Sequence, residues 1–302
     1  MSASPDALAR VDVTEHNRGF TPPTFDTLVS QVVSASQFAH ADFERLRRVM
    51  YPGVVVLPWG SSPGTAAHRK VWEFVYVLRA AEQEAVLAAG RRALGFGVGR
   101  EPLPAALAKH GLSVLATDLG AGEGETAAWA ATRQHMSDLR ALSHPAIVTD
   151  EKLAEHVTVR HVDMNHVPDD LGAFDLVWSC CALEHLGSPG SGLDFVVRTL
   201  DLLEPGGVSV HTTELELTPR EETADYGHLA VYRTVDLDEL AGRVRALGCE
   251  METNWHVSLE TPIDRWIARH PYDDPAHLKL TIGDSVSTSV GLLIRKPKHA
   301  SP

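Results

Sequence analysis

From residue 91 onward, short apolar segments alternate with longer segments whose apolar residues recur at helical spacing. The strand-like segments are residues 92–97, 112–120, 157–164, 174–183 and 207–215. Helices are predicted at about 101–110, 123–142, 190–203 and 235–248. Strands that alternate with helices form βαβ units, which build a parallel sheet with helices on both faces. The alternation therefore predicts an α/β fold with a doubly wound, mostly parallel sheet.

The rest of the chain predicts additions to this sheet. Segments 249–258 and 286–297 have strand character and are expected to form a terminal antiparallel strand pair at one sheet edge. Residues 257–281 between them form an insertion rich in Pro, His and aromatic residues. Before the α/β part, residues 1–24 predict a loose polar arm, whereas residues 25–50 and 70–87 predict helices.

Charge and cysteine content limit the class of partner. The chain of 302 residues has a formal net charge of -13, which argues against nucleic acid, because phosphate recognition requires a basic surface. The three cysteines have neither a disulfide framework nor zinc-site spacing, and no apolar run is long enough for a membrane span. We expect a cytoplasmic protein with a small-molecule partner. The sequence does not fix its oligomeric state.

The loop after the first predicted strand contains Gly95, Gly97 and Gly99. Such a loop allows a ligand to approach backbone amides closely. A dinucleotide fingerprint, G-x-G-x-x-G, would require a third glycine at position 100, where this chain has Arg100. The G-x-G-x-G spacing, followed by Asp118 at the end of the second strand, instead resembles the cofactor loop of class I S-adenosylmethionine-dependent methyltransferases. This Rossmann-like family also carries the terminal antiparallel pair.

The resemblance covers about residues 70–297 and includes "VDMN" (162–165), "FDLVWSCCALEHLG" (174–187) and "LLEPGGVSVHTTE" (202–214). It implies that the glycine loop lies against the methionine portion of the cofactor S-adenosyl-L-methionine. It also implies that Asp118 binds the ribose, that Asp163 meets the adenine amino group, and that Met164 packs beside the ring. Ser179, in the fourth strand, is assigned to the same site.

One position departs from the family pattern. The family usually has an acidic residue two positions before the first glycine, where this chain has Ala93. Glu101 and Arg100, just after the loop, are the candidates for the cofactor's ammonium and carboxylate. The alternative for Glu101 is a solvated helix start, where a negative charge favours the helix dipole.

Methyl transfer to a hydroxyl needs a positioned nucleophile and a base. The predicted catalytic residues are His185, His211 and Glu214, which follow the fourth strand or lie in the fifth. Three explanations stay open: structural imidazoles, a histidine base assisted by a carboxylate, or a divalent metal. The metal candidates are Glu184, His185, Glu214 and His228, since carboxylates and imidazoles suit a divalent ion. Cys180 and Cys181 are interpreted as strand packing.

The insertion and the N-terminal region are candidates for covering the acceptor. The insertion carries Trp266, His270, Tyr272 and His277, with Asp264 and Arg265, and would form a lid over a polar ring. Trp59 and His68 would contribute from the opposite side. The alternative is a surface excursion with Trp266 packed onto the core. The predicted organisation is an N-terminal arm and helical cap (1–69) before an S-adenosylmethionine-binding methyltransferase domain (70–302).

The sequence thus predicts a methyltransferase that O-methylates a small polar acceptor such as a sugar or a secondary metabolite. The alternatives are N- or C-methylation of a small molecule and 2'-O-methylation of RNA. A nicotinamide-dependent oxidoreductase and a non-catalytic cofactor-binding regulator are the competing classes.

Overall fold

The computed structural model describes residues 5–53, 67–120, 136–227, 229–270, 272 and 276–298. The strands are β1 (Ser30–Val32), β2 (Arg92–Phe96), β3 (Ser113–Asp118), β4 (Val157–His161), β5 (Phe174–Cys180), β6 (Leu203–Glu216), β7 (Ala224–Asp225), β8 (Ala230–Val231), β9 (Thr253–Asn254), β10 (Ile267–Ala268), β11 (Lys279–Ile282) and β12 (Ser285–Arg295). The α-helices are α1 (Pro5–Leu8), α2 (Thr14–Asn17), α3 (Ala35–Phe38), α4 (Ala41–Met50), α5 (Arg69–Gln83), α6 (Leu103–Lys109), α7 (Asp150–His156), α8 (Pro189–Thr199), α9 (Thr234–Ala246) and α10 (Pro262–Arg265). Within this part of the chain, no helix has the length and apolar character that crossing a membrane requires.

One mixed sheet forms the centre of the described structure, with the strand order β10-β11-β12-β6-β5-β2-β3-β4. Strands β2 to β6 pair in parallel, whereas β12 lies antiparallel between β6 and β11. Strands β2, β5 and β6 are largely buried, as expected for parallel strands covered on both faces, and β2 and β5 are mostly apolar. The prediction of a doubly wound, mostly parallel sheet with terminal antiparallel strands is confirmed.

The strands at the antiparallel edge differ from the predicted pair. Segment 249–258 contributes only β9, which runs parallel to β1, and a single bridge between Glu250 and Arg295. Strand β12 instead pairs antiparallel with β6, with β1 and with β11, and β11 comes from residues assigned largely to the insertion. A two-residue Gly283–Asp284 turn joins the two strands, and Gly283 has a φ of +55°. Such a turn favours a local hairpin over pairing with a distant segment.

Two other segments also differ from the prediction. Residues 25–50 contain β1 as well as helices α3 and α4, and β1 pairs with β12 inside the central sheet. Most of the helix predicted at 123–142 lies outside the described residues, and the remainder contains a short 3₁₀ turn, Leu139–Leu142. The domain boundary at residue 69 stays a prediction, and α5 begins at that residue.

Gly95 allows two neighbouring strands to pack around a large side chain. A Cβ atom at Gly95 would lie 2.3 Å from Cζ2 of Trp178 and 2.5 Å from Cγ1 of Val98. Trp178 is fully buried in the adjacent strand β5, where its backbone pairs with Gly95. Because a real Cβ atom cannot approach this closely, Gly95 provides the space that the indole occupies.

We expect Gly95→Ala to lower the free energy of unfolding by about 1–3 kcal/mol, the usual cost of overpacking a core. Chemical denaturation measures the change. Gly242→Ala, within α9, is the matched control, because no atom lies within 4 Å of the added Cβ. Alanine there should be neutral or stabilise the helix by about 0.5–1 kcal/mol. Equal stability of the two variants would contradict the packing role of Gly95.

Candidate active site

A cavity of about 980 Å³ opens where the parallel strands β2 to β6 end. The segments that follow these strands supply most of its wall, as is usual for ligand sites in doubly wound sheets. Met50 and Tyr51 of the N-terminal region line one part of the cavity, and Arg69 and Lys70 at the start of α5 line another. Tyr272 and His277 of the insertion complete the wall.

One end of the cavity is formed by the glycine loop and by the segments after β3 and β4. Gly97 has a φ of +58°, and a Cβ atom there would lie 2.8 Å from Cβ of Ala182 and 3.5 Å from Sδ of Met164. Asp118 accepts backbone hydrogen bonds from Leu119 (2.9 Å) and Met136 (2.8 Å). These bonds fix the Asp118 carboxylate at the end of its strand while it still lines the cavity.

Two further carboxylates line the same end. Asp163 accepts hydrogen bonds from the backbone of Asn165 (2.8 Å) and from Nδ1 of His166 (2.7 Å). Glu101 is buried and accepts a hydrogen bond from the indole N–H of Trp178 (2.6 Å). Burial raises the pKa of Glu101 to about 8, although the bond from Trp178 opposes this increase. Arg100, beside it, is exposed at the cavity wall.

This end of the cavity fits S-adenosylmethionine. Gly97, Ala182 and Met164 enclose a small recess, which we call the cradle, and a side chain at position 97 would fill it. The thioether of Met164 makes one side of the cradle apolar. Carboxylates of Asp163, Asp118 and Glu101 follow the neighbouring strands β4, β3 and β2 in that order. A ligand with an adenine, a ribose and an ammonium group requires hydrogen-bond acceptors spaced along its length, which this order provides.

Three predicted site residues do not line the cavity. Gly95 lies beneath Trp178 and serves packing. Ser179 is fully buried, and its hydroxyl bonds Nδ1 of His211 at 2.8 Å. His211 is also fully buried, with Nε2 bonded to the hydroxyl of Ser209 at 2.7 Å and its ring against Phe195.

Burial lowers the pKa of His211 to about 3. The ring is therefore neutral, and both of its nitrogens are engaged inside the core. The prediction of His211 as a catalytic base is corrected to a structural imidazole, and Ser179 is corrected to its hydrogen-bond partner.

The other end of the cavity rests on a buried ionic cluster. Nη1 of Arg69 lies 2.5 Å from Oε1 of Glu214 and 3.3 Å from Oε1 of Glu73. Nζ of Lys70 lies 3.1 Å from Oε2 of Glu73. Although burial alone would raise the pKa of Glu73, Lys70 and Arg69 outweigh this effect and hold that pKa below its usual range. The cluster therefore pairs two cations with two carboxylates.

Hydrogen bonds from strand β12 complete the cluster. Ser287 donates to Oε2 of Glu214 at 2.6 Å, and Ser289 donates to Oε1 of Glu73 at 2.5 Å.

The two adjacent cysteines lie beside this cluster. The thiol of Cys181 donates to Oε2 of Glu73 at 3.2 Å. Cys180 packs against the main apolar core, and both Cys180 and Cys181 also line the cavity. Burial raises the pKa of each thiol well above its usual value, so neither is a ready nucleophile.

Glu184 and His185 border the cavity in a 3₁₀ turn after β5. Glu184 is only 2% exposed, and its Oε2 accepts a hydrogen bond from the hydroxyl of Thr213 at 3.0 Å. Burial, followed by the nearby charge of Glu214, raises the pKa of Glu184 to about 7. A carboxyl group in this range can gain or lose a proton near neutral pH.

The proposed metal ligands do not form a convincing cation site. In the described residues, ligand atoms of Cys181, Glu184 and Glu214 lie within 4.8 Å of one another. However, Arg69 and Ser287 already occupy both oxygens of Glu214, so the guanidinium supplies the positive charge that an ion would add. His228, the fourth candidate, lies outside the described residues.

The structure brings in residues that the sequence interpretation missed. Arg69, Lys70 and Glu73 stand on one face at the start of α5, where a spacing of three and four residues allows pairing. That spacing is visible in the sequence and is the signal that could have indicated them. His68, which was predicted, lines the cavity and contacts the ring of His277, with ring centroids 4.4 Å apart.

The insertion contributes to the cavity through residues other than its tryptophan. Trp266 packs against the main apolar core, whereas Tyr272 and His277 line the cavity. The Tyr272 hydroxyl donates to the carbonyl of Thr281 at 2.6 Å. His270 is exposed, and Trp59 lies outside the described residues. The opening and closing of a lid stays a prediction.

We expect Arg69→Met to lower the free energy of unfolding by about 3–5 kcal/mol, because it removes the cation that pairs with the buried carboxylate of Glu214. Arg243→Met is the control, since Arg243 pairs with exposed Asp194 at 2.6 Å and should contribute less than about 1 kcal/mol. Denaturant titration of both variants measures the difference. Similar losses in the two variants would show that the cluster does not stabilise the fold.

The family model of the methyltransferase domain matches residues 94–210, from β2 into β6. Among solved structures, the putative sarcosine dimethylglycine methyltransferase from Galdieria sulphuraria is 14% identical to this chain, with a TM-score of 0.50. That match covers 85% of this chain and 99% of the other. The likeness is one of fold.

Two further structures overlap less closely. The N-methyltransferase NodS from Bradyrhizobium japonicum, in complex with S-adenosyl-L-homocysteine, is 14% identical, with a TM-score of 0.43 and coverage of 85% of this chain and 100% of the other. The 1,6-didemethyltoxoflavin-N1-methyltransferase from Burkholderia thailandensis is 16% identical, with a TM-score of 0.41 and coverage of 72% and 76%. A search of curated proteins gives no significant match.

Proposed function

We propose a substrate class and a base for this chain, which belongs to the class I S-adenosylmethionine-dependent methyltransferases. It transfers a methyl group to a hydroxyl of a small polar molecule, and Glu184 removes the hydroxyl proton. The continuous cavity carries this proposal, because it joins the cradle at Gly97 and Met164 to the titratable carboxyl of Glu184.

The order of strands suggests how the chain holds its cofactor. Asp163 and Met164 after β4 would hold the adenine, and Asp118 at the end of β3 would hold the ribose. The glycine loop and Glu101 after β2 would hold the amino-acid end. When bound, S-adenosylmethionine supplies an electrophilic methyl carbon on a positively charged sulfur. The acceptor then lies beyond β5 and β6, next to Glu184 and Glu214.

Glu184 has the properties of a general base. A neutral hydroxyl is a weak nucleophile, so its proton must be accepted as the new carbon–oxygen bond forms. A pKa of about 7 leaves Glu184 ionised in a large fraction of molecules at neutral pH and still basic enough to accept a proton. The hydroxyl of Thr213 donates to one carboxylate oxygen and orients the group at the edge of the cavity.

His185 is the second candidate for the base, because it lines the cavity beside Glu184. The competing reactions are N- and C-methylation of a small molecule. A free amine already carries a nucleophilic lone pair and needs little help from a base. The dependence of the rate on Glu184 therefore distinguishes an oxygen acceptor from an amine.

The wall beyond Glu184 supports a small polar acceptor. It combines the aromatic ring of Tyr272 and the imidazoles of His68 and His277 with apolar Leu280. Aromatic faces beside hydrogen-bonding groups suit a polar ring such as a sugar. The net charge of -13 continues to argue against RNA as the acceptor. A cytoplasmic location stays a prediction.

We expect Glu184→Gln to lower kcat by about 10²–10⁴-fold, the range for loss of a general base. The wild-type rate should rise as pH increases through about 7, because only the ionised carboxylate accepts the proton. The variant should lose this rise. Initial rates between pH 5.5 and 9 measure both effects.

Glu216→Gln is the matched control, since Glu216 is an equally buried carboxylate that pairs with Arg220 and does not line the cavity. It should keep the wild-type pH profile. If Glu184→Gln retains that profile while His185→Asn loses it, the base is His185. If both variants retain wild-type rates, an amine acceptor replaces the hydroxyl.

We expect methyl-labelled S-adenosylmethionine to label a small molecule when the enzyme is incubated with a metabolite extract. Mass spectrometry should place the label on an oxygen. Heat-inactivated enzyme is the control for non-enzymatic methylation. Labelling confined to RNA would overturn the small-molecule proposal, and label on nitrogen would overturn the hydroxyl assignment.

A further inference from the structure

Glu101 is a buried carboxylate that faces the cavity and lies directly after the glycine loop. In the described part of the chain, no lysine, arginine or histidine comes within 4.0 Å of it to form an ion pair. Its Oε1 accepts the indole hydrogen bond from Trp178 at 2.6 Å. A buried carboxylate is costly without a cation, so this arrangement favours a positively charged ligand group.

Trp178 determines where this carboxylate points. The indole lies in β5, fully buried, and reaches Glu101 only because Gly95 in the neighbouring strand has no side chain. A single set of contacts therefore runs from Gly95 through Trp178 to Glu101. The first glycine of the loop acts on the ligand site through this set, although it does not line the cavity.

We propose that Trp178 is a positioning residue that holds Glu101 as the carboxylate for the α-ammonium group of S-adenosylmethionine, so that cofactor binding releases a proton. This inference rests on the proposed cofactor site. Position 93, where an acidic residue would serve the same group, is a buried alanine in this chain. Glu101 reaches the group from the other side of the loop.

Proton release follows from the two states of the carboxyl group. Burial raises the pKa of Glu101 to about 8, with a smaller contribution from the charge of Asp118, although Trp178, Lys70 and Cys180 oppose this increase. The carboxyl is therefore mostly protonated at pH 7 before the cofactor binds. An ammonium group beside it favours the ionised form, and the proton leaves to solvent as the ion pair forms. The hydrogen bond from Trp178 stabilises the same ionised form. Removing that bond should therefore weaken binding most below pH 8.

Calorimetric titration of the full chain with S-adenosylhomocysteine tests this inference. Titrations in two buffers of different ionisation enthalpy give the number of protons exchanged. The wild type should release about one proton at pH 7, because a group of pKa about 8 is then mostly protonated before binding. Methylthioadenosine, which lacks the amino-acid portion, should bind without releasing this proton.

Two variants distinguish the role of the Glu101 carboxylate from that of Trp178, which positions it. Glu101→Gln should bind S-adenosylhomocysteine about 10- to 100-fold more weakly and release no proton, because a charged hydrogen bond is lost. Trp178→Phe should weaken binding about 3- to 10-fold and move the pH dependence upward. Neither variant should change the affinity for methylthioadenosine by a comparable factor.

Trp255→Phe is the matched control. Trp255 is also buried, and its indole donates to Oδ1 of Asp238 at 2.8 Å, away from the cavity. It should bind S-adenosylhomocysteine and release the proton as the wild type does. If Trp178→Phe behaves like Trp255→Phe, Trp178 does not position Glu101. If Glu101→Gln still releases the proton, the carboxylate assignment is wrong. Absence of any binding by the wild type would instead overturn the proposed cofactor site.

Discussion

The ion pair between Arg69 and Glu214 holds the first turn of α5 over the carboxyl end of β6, and the cavity depends on it. The two side chains are 11% and 3% exposed, so neither charge is stable there without the other. Ser287 of β12 donates a hydrogen bond to Glu214, and Glu73 of α5 forms a second ion pair with Arg69. These contacts hold α5, β6 and β12 together around a buried ionic cluster at one end of the cavity. The proposed acceptor end of the cavity lies next to this ionic cluster.

The pair also explains why a cluster of acidic residues next to the cavity does not act as a metal site. Two cations of α5 form ion pairs with Glu73 and Glu214, whereas Glu184 forms no such ion pair within the part of the chain that the structure describes. Burial and the nearby charge of Glu214 then raise the pKa of Glu184. Glu73, Glu214 and Glu184 are all buried. Glu73 and Glu214 have a structural role because cations of α5 pair with them, whereas the candidate base Glu184 has the negative charge of Glu214 nearby.

The sequence predicts the cofactor end of the cavity better than the acceptor end. Asp118, Asp163 and Met164 follow strand ends, and parallel strands bring their carboxyl ends to one edge of the sheet. Their proximity is therefore a consequence of topology alone.

The same reasoning brings His211 and Glu214 to this edge, but it does not predict which face of the strand each side chain occupies. In β6, even-numbered Val208 and Val210 pack in the cluster that contains α5 residues, whereas odd-numbered His211 contacts Phe195 of α8. Alternation along the strand places Glu214 with the first group.

Long-range contacts account for the remaining differences. Strand β1 joins the sheet through β12, more than 250 residues later in the chain, and no local pattern specifies that pairing. The role of Gly95 depends on Trp178 in the adjacent strand, so the loop spacing alone assigned this glycine to the ligand. Arg69 was missed because its partners Glu214 and Cys181 come from distant elements. In each case the deciding contact joins residues that only the folded chain brings together.

A crystal structure of the protein with S-adenosylhomocysteine tests most directly the claim that one cavity holds the cofactor and the acceptor. The account predicts adenine beside Asp163 and Met164, ribose hydroxyls on Asp118, and the amino-acid end near Glu101. The sulfur should face the space bordered by Glu184. Density for the ligand outside this cavity, or with its adenine at the Glu184 end, would contradict the account.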